Sequence, residues 1–534
     1  MTTANQKIIR IRREYNALVA DESLEDYALR FTPKSFRKWS EWKVANTALG
    51  GIAFLALEAI GAVMVMNYGF SNTMWAILAF AIVTFLTGLP ISYYAARYGL
   101  DIDLLTRGAG FGYVGSTVTS LIYAAFTFIF FAIEAAIMAM AIQLYLGWPI
   151  IWCYILSAVV IIPLVVRGIT LISKLQMWSQ GIWIVLLVSP YIAIALQDPS
   201  TFMAFTEARG RISESDEFNW LMFGSAATVA CSLVVQIGEQ VDYLRFLPEK
   251  TKQNRIRWWT AVIFAGPGWI IPGSLKILGG AFLCFLLTSQ NLSLAQSSEP
   301  TRLYLAGFSY LFDDSNWVLA VTVLFVVISQ IKINVTNAYA GSLAWSNFFA
   351  RLTHSHPGRV VWLVFNVLIA TLLMTLGVFG ALEQVLGLYS NVAIAWIGSL
   401  VADLIINKPL GLSPKGIEFK RAHLYDINPV GLGATIMAAL LALIAYSGIA
   451  GIAAKAFSPF IALFASLLIS PAIAWLTSSR WYISRRPTQL ADSFHHAHCS
   501  ICENKFETPD MAHCTAYGAP ICSLCCTLDS RCQD

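Results

Sequence analysis

The sequence predicts an all-α integral membrane protein of twelve transmembrane helices with a small Cys-rich module at its C-terminal end. Composition is the first reason. Of 534 residues, 57% are hydrophobic and only 12% charged, with a mean hydropathy of +0.64, whereas soluble domains carry about 25% charged residues. Length is the second. A helix needs about 20 apolar residues to cross a bilayer. Such stretches recur at about 44–66, 72–95, 113–145, 149–166, 177–196, 220–240, 259–288, 317–349, 360–382, 385–406, 430–448 and 457–478. The short alternating segments of a transmembrane barrel are absent. Charge placement is the third. With a cytoplasmic N-terminus, the inner segments collect nearly all Lys and Arg, among them Arg13, Arg37, Arg97, Arg107, Arg245, Arg351, Arg359, Lys408, Arg421 and Arg485. The outer loops keep only Arg209, Arg211, Arg302 and Lys455. This alternation predicts both termini inside; the expected location is a bacterial inner membrane.

Residues 1–43 read as a basic cytoplasmic leader, partly helical along the membrane surface, with no apolar core of a cleavable signal peptide. The twelve-helix body runs from 44 to 480, a linker from 481 to 494, and the Cys/His-rich tail from 495 to 534. The net charge of +4 follows from the inner-face bias and gives no reason to invoke nucleic acid. The expected partners are a small-molecule substrate and the lipid bilayer. Spans 1 and 6 each place a glutamate among small residues, Glu58 and Glu239, a parallel that fits inverted repeats with a substrate site between broken helices.

Polar residues inside the spans mark the candidate site, because each is costly there unless it pairs, binds something or lines a wet cavity. In the third span Thr127, Phe130 or Phe131, and Glu134 share a face. A ring beside a carboxylate suits a planar nitrogenous ligand; alternatively Glu134 is protonated or tied to Lys332. Glu58 in the first span permits the same two readings. The sixth span carries Ser225, Thr228, Ser232, Gln236 and Glu239 as one stripe. That stripe either lines a cavity or bonds its hydroxyls back to its own carbonyls. Asp242 and Arg245 beyond it read as structural and topogenic, and Lys276 in the seventh span as buried or snorkelling. The eighth span is the most polar: Gln330, Asn334 and Asn337 recur at helical spacing, with Lys332, Thr336 and Tyr339 on the adjoining face. Glu58, Glu134, Glu239 and Lys332 together offer material for proton coupling.

In the tail, Cys499-x2-Cys502 and Cys522-x2-Cys525 are separated by residues 503–521, the spacing of a two-knuckle zinc site. Four thiolates supply a tetrahedral set for Zn2+, and a reducing cytoplasm argues against disulfides. His513, Cys514, Cys526 and Cys532 are possible additional ligands.

The string Asn337-Ala338-Tyr339-Ala340-Gly341-Ser342-Leu343, preceded by Gln330 and Asn334, resembles the eighth helix of the nucleobase–cation symporter family of purine-cytosine permeases and hydantoin transporters. Glu239-Gln240-Val241-Asp242-Tyr243-Leu244-Arg245-Phe246 resembles its helix-six signature. The resemblance covers about residues 35–480 and implies the leucine-transporter fold: a 5+5 inverted repeat plus two helices, with ligand held between helices 1, 3, 6 and 8. It puts Phe130 at the aromatic platform of helix 3, Glu134 where the family has Gln, and Asn337 at the Asn that bonds the ligand amide. The helix-6 platform falls near Leu233, where no aromatic stands. The hydroxyl pair that coordinates sodium in dependent members falls at Ile331-Lys332; an ammonium there would take the cation's place, so sodium is not expected at this site. The tail also resembles the juncture of bacterial proteins that join a transporter-like domain to a sensor histidine kinase. No kinase segment lies in these residues, which leaves a longer product open.

Three functions remain on sequence grounds. A secondary transporter of a nucleobase, hydantoin or related solute comes first. A solute sensor signalling to a cytoplasmic partner through the tail comes second. An intramembrane enzyme has no nucleophile–base or catalytic metal pattern in the spans to support it, so no enzyme is expected.

Overall fold

The computed structural model describes residues 13–26, 28–213, 216–287, 294–487 and 496–529. Among them, nine helices are long and apolar enough to cross a membrane, and two shorter apolar ones lie at Ile150–Val166 and Arg359–Thr375. The first of the nine, Ala56–Tyr98, bends at Gly69, whose φ of 77° is open to glycine and strained for other residues. It therefore supplies the end of span 1 and all of span 2, and the twelve predicted spans are present in order.

Span 1 is where the structure departs most from an uninterrupted helix. Its first half, Glu41–Gly50, is capped by Ser40. A 3-10 turn follows at Gly51–Ala53, then extended backbone at Phe54, before the helix resumes at Ala56. Span 6 breaks in the corresponding place: Trp220–Ala230, a 3-10 turn at Cys231–Val235, then Gln236–Leu244. Spans 3 and 8, Ser116–Leu146 and Ser315–Thr353, are long and unbroken and pack along one another. Breaks in 1 and 6 and long partners in 3 and 8 repeat at an offset of five spans, as an internal duplication requires. Spans 1 and 7 meet at glycine: a Cβ on Gly61 or Gly280 would strike Ile277 or Glu58 backbone.

Three stretches outside the spans carry more structure than the sequence shows. Of the leader, residues 13–26 and 28–40 hold a short helix at Ala17–Ala20 and 3-10 turns and are strapped across one end of the bundle by hydrogen bonds, while residues 1–12 lie outside the described residues. The loop 289–316 contains a helix, Pro300–Phe308, which sends Tyr304 into the core. The linker starts as part of the bundle, since Tyr482 is buried and donates to Asp403 at 2.6 Å.

The tail forms two hairpins, β1 (His496–His498) with β2 (Lys505–Glu507) and β3 (Met511–Cys514) with β4 (Ala519–Cys522), then a helix, Ser523–Leu528. It packs against the strap and the loops holding Tyr113 and Arg421 at the same end of the bundle, called here the tail face.

Candidate functional site

The break in span 1 frees backbone N–H groups in the middle of the bundle, where a missing partner is expensive. Span 3 answers with Glu134, whose carboxylate accepts the N–H of Leu55 and of Ala56, both at 3.0 Å. Phe130, one turn away, stands edge-on to Phe54 at 6.3 Å and against Phe126 at 4.6 Å. Just past the break in span 6, Gln236 donates to Glu239 at 2.9 Å. At Gly51 three spans meet: a Cβ there would lie 3.6 Å from the Thr336 side chain and 3.8 Å from Gln236 Nε2.

Span 8 brings the amides. Gln330 lies beside Glu134 but makes no hydrogen bond of normal geometry. Asn337 donates to Asn334 at 3.4 Å, leaving Asn337 Oδ1 and Asn334 Nδ2 without partners. Phe130, Glu134, Gln236, Glu239, Gln330, Asn334 and Asn337 are all at most 2% exposed. Nearly all buried polar atoms in proteins are paired. Gln330, Asn334 and Asn337 nonetheless leave four buried amide atoms on span 8 without a partner.

Of the eight residues predicted to contact substrate, Glu134 lies at the span-1 break beside Gln330, Gln236 bonds Glu239, and Asn337 bonds Asn334, whereas Glu58 is taken up elsewhere. Its carboxylate pairs with Lys276 at 3.2 Å and accepts from Tyr304 at 2.9 Å. It ties span 1 to span 7 and to the helix at Pro300–Phe308. The predicted tie of Glu134 to Lys332 is also corrected. Lys332 points to span 5, donating to Gln176 Oε1 at 2.7 Å, Gln180 Oε1 at 3.0 Å and Ser179 Oγ at 3.1 Å, while Gln176 returns a bond to the Lys332 carbonyl at 2.7 Å. Sequence reasoning missed these span-5 partners, although their clustering on one side of an otherwise apolar span was a usable signal. In span 6 the back-bonding alternative holds for two hydroxyls: Thr228 donates to the Gly224 carbonyl and Ser232 to that of Val229.

Ionic and hydrogen-bonded ties join the spans toward both ends of the bundle. At the tail face Arg245 pairs with Asp101 at 3.1 Å and donates to Tyr339 at 3.0 Å, and Tyr123 donates to Asp242 at 2.7 Å. These are the structural roles expected of Asp242 and Arg245. At the opposite face Asn67 and Tyr68 donate to Glu383 of span 10 at 3.1 and 2.9 Å.

In the tail, the Sγ atoms of Cys499, Cys502, Cys522 and Cys525 lie within 4.8 Å of one another, all buried, in a cluster that can hold a metal ion. Backbone N–H groups of Cys522 and Cys525 already point at the sulfurs of Cys499 and Cys522, both at 3.3 Å, as outer partners of a metal site do. Hydrogen bonds from Cys502, Cys522 and Cys525 hold the Cys499 thiol far below its ordinary range, while burial pushes Cys522 above it. Four crowded sulfurs cannot all ionise without a cation among them. His513, Cys514 and Cys526, predicted as possible further ligands, stand outside this cluster, and Cys532 lies outside the described residues. Among the described residues no second such cluster forms.

No family model and no curated protein sequence matches the chain. Solved structures do. The nucleobase-cation-symport-1 family transporter Mhp1, in a closed conformation with bromovinylhydantoin bound, is 17% identical with a TM-score of 0.64, covering 85% of this chain and 96% of that one. Its inward-facing conformation gives 15% and 0.63 over 88% and 96%. A Na+-coupled sialic acid symporter in a substrate-bound outward-open state gives 12% and 0.58 over 86% and 93%. The chain has this transporter fold, the leucine-transporter architecture that the sequence resemblance implied, with the four-cysteine tail added.

Proposed function

We propose that this protein is a secondary transporter of a small planar nitrogenous solute, a nucleobase, hydantoin or relative, working by alternating access. One observation carries the reading: span 8 keeps fully buried amide atoms of Gln330, Asn334 and Asn337 without protein partners, with Gln330 beside the Glu134 that holds the span-1 break. Amides offer donors and acceptors side by side, as the edge of such a heterocycle does. Phe130 provides an aromatic surface for its face. The contact made by Glu134 is backbone-directed, so Glu134 shapes the site by fixing the span-1 break. The bromovinylhydantoin of the Mhp1 structure is the kind of solute this chemistry fits.

Sodium is not the coupling ion in this reading. The Lys332 ammonium, held by three side-chain oxygens of span 5 beside the first half of span 1, does the work of a cation between spans 1, 5 and 8. The sialic acid symporter is Na+-coupled, which makes sodium replacement the critical comparison. The tail holds Zn2+, which four thiolates suit, and the tail face is cytoplasmic, where its thiols stay reduced. The module's polar contacts run to this chain's own strap, which favours an intramolecular role over a separate signalling partner.

Proteoliposomes test the reading directly. Uptake of at least one labelled nucleobase or hydantoin is expected, unchanged when choline replaces sodium at constant pH. Binding without uptake across a panel of such solutes would support a sensor instead. Uptake abolished by choline would reject the role given to Lys332.

A further inference from the structure

The four-cysteine module holds the start of the strap. Arg13 donates from its guanidinium to the carbonyls of Cys525 and Leu528, at 3.2 and 3.0 Å, and from its backbone to that of Ile501 at 3.0 Å. Tyr15 hydroxyl meets Cys525 Sγ at 2.9 Å. Further along, the Glu507 carboxylate accepts the N–H groups of Lys34 and Ser35, at 2.9 and 3.0 Å, and Arg30 pairs with Asp510 at 3.1 Å. Cys525, Leu528 and Ile501 belong to the two metal knuckles or flank them, so their carbonyls hold position only while the knuckles are folded.

The strap in turn grips the bundle. Asp26 bonds His356 and the N–H of Arg359, both at 2.9 Å; Asn347 donates to Ala28 O at 2.7 Å; Thr32 N–H reaches Gly99 O at 2.8 Å. At Ser40 the strap becomes the first half of span 1, Glu41–Gly50. That half-helix is packed shut, with Thr47 on Ser173 at 2.9 Å and Gly50 against Gln176. It runs from the strap to the span-1 break at Gly51–Ala53.

We propose that the four-cysteine module is a metal-dependent clamp: with a thiophilic divalent cation bound, it fixes residues 13–40 across the tail face and holds the first half of span 1 closed. Small thiolate modules take most of their folding free energy from the metal. Losing the ion therefore unfolds the knuckles, frees Arg13 and Tyr15, and loosens the half-helix. The consequence for solute release rests on the transporter reading; the clamp itself does not.

The test uses the full chain in lipid nanodiscs, loaded with zinc or stripped with a chelator, and reads amide hydrogen exchange by peptide. One zinc per chain is expected. Removing it should speed exchange across 13–50 by about tenfold or more, as opening of a local unit does, with 116–146 unchanged. Arg13→Ala should accelerate exchange in the same segments, by less because the Glu507 and Arg30 contacts remain, while zinc stays bound, which separates loss of the clamp from collapse of the tail. A chain that binds no zinc, or whose 41–50 segment exchanges equally fast in all three samples, overturns the proposal. Absent uptake with a normal exchange response sinks the transporter reading alone; normal uptake with no exchange response sinks the clamp alone.

Discussion

The carboxylate of Glu134 on span 3 accepts the backbone N–H of Ala56 on span 1 at 3.0 Å, and that of Leu55 at the same distance. A side chain thus replaces the helical carbonyls lost where span 1 unwinds. Glu134→Ala strands two buried donors at about 1–3 kcal/mol each, so the variant should melt well below the native chain in detergent. Glu134→Gln keeps one acceptor and should fall between. Equal melting temperatures for all three would contradict this role.

Asn337→Ala should leave folding intact and weaken solute binding. Its Oδ1 has no protein partner and its Nδ2 makes only the long 3.4 Å contact to Asn334, whereas a bound solute loses a hydrogen bond worth about 1–3 kcal/mol in a buried site. By equilibrium binding, an affinity loss of about 5- to 150-fold is expected, with an unchanged melting temperature. Unchanged affinity would move the site off span 8.

Glu58 and Lys276 form a buried pair at 3.2 Å, 0% and 4% exposed. Removing one charge leaves the other unpaired, a loss of about 3–5 kcal/mol, whereas replacing both by apolar groups is often neutral. Glu58→Leu and Lys276→Met should each reduce the folded yield sharply, and the double variant should recover it. A double variant as poor as the singles would show that the pair is not an isolated tie.

Lys332→Ala leaves the oxygens of Gln176, Ser179 and Gln180 without their cation. Uptake should drop at least about tenfold, a loss of about 1.4 kcal/mol or more, and added sodium should restore part of it by occupying those oxygens. A variant indifferent to sodium would count against an ion-like role for the ammonium.

Acid should loosen the strap. Burial works against the Asp26 carboxylate, but His356 and Arg359 outweigh it and hold its pKa below the usual range. A group depressed on folding contributes stability that is complete above its unfolded pKa of about 3.9 and is lost as pH falls below that value. Exchange across 13–40 should therefore accelerate below about pH 4. Asp26→Asn should show faster exchange already at pH 7, and a native-like rate in that variant would refute the assignment.

Sequence alone determined the span count, the polar face of span 8, the stripe of span 6 and the two Cys knuckles. Each is set by local spacing: apolar run length, helical periodicity, and the fixed reach of a four-residue turn. What it left open were partners. Glu58, Glu134, Lys276 and Lys332 are all isolated charges in apolar runs, and nothing local says which meets which. Three-dimensional packing decided that Glu58 takes Lys276, that Glu134 takes a broken backbone, and that Lys332 turns to span 5. The inverted-repeat parallel pointed to broken helices, but the place of the break at Gly51–Ala53, and the strap of residues 13–40, depend on bonds to residues distant in sequence. A buried polar group must be satisfied by whatever the fold brings within about 3 Å, and that choice belongs to tertiary structure.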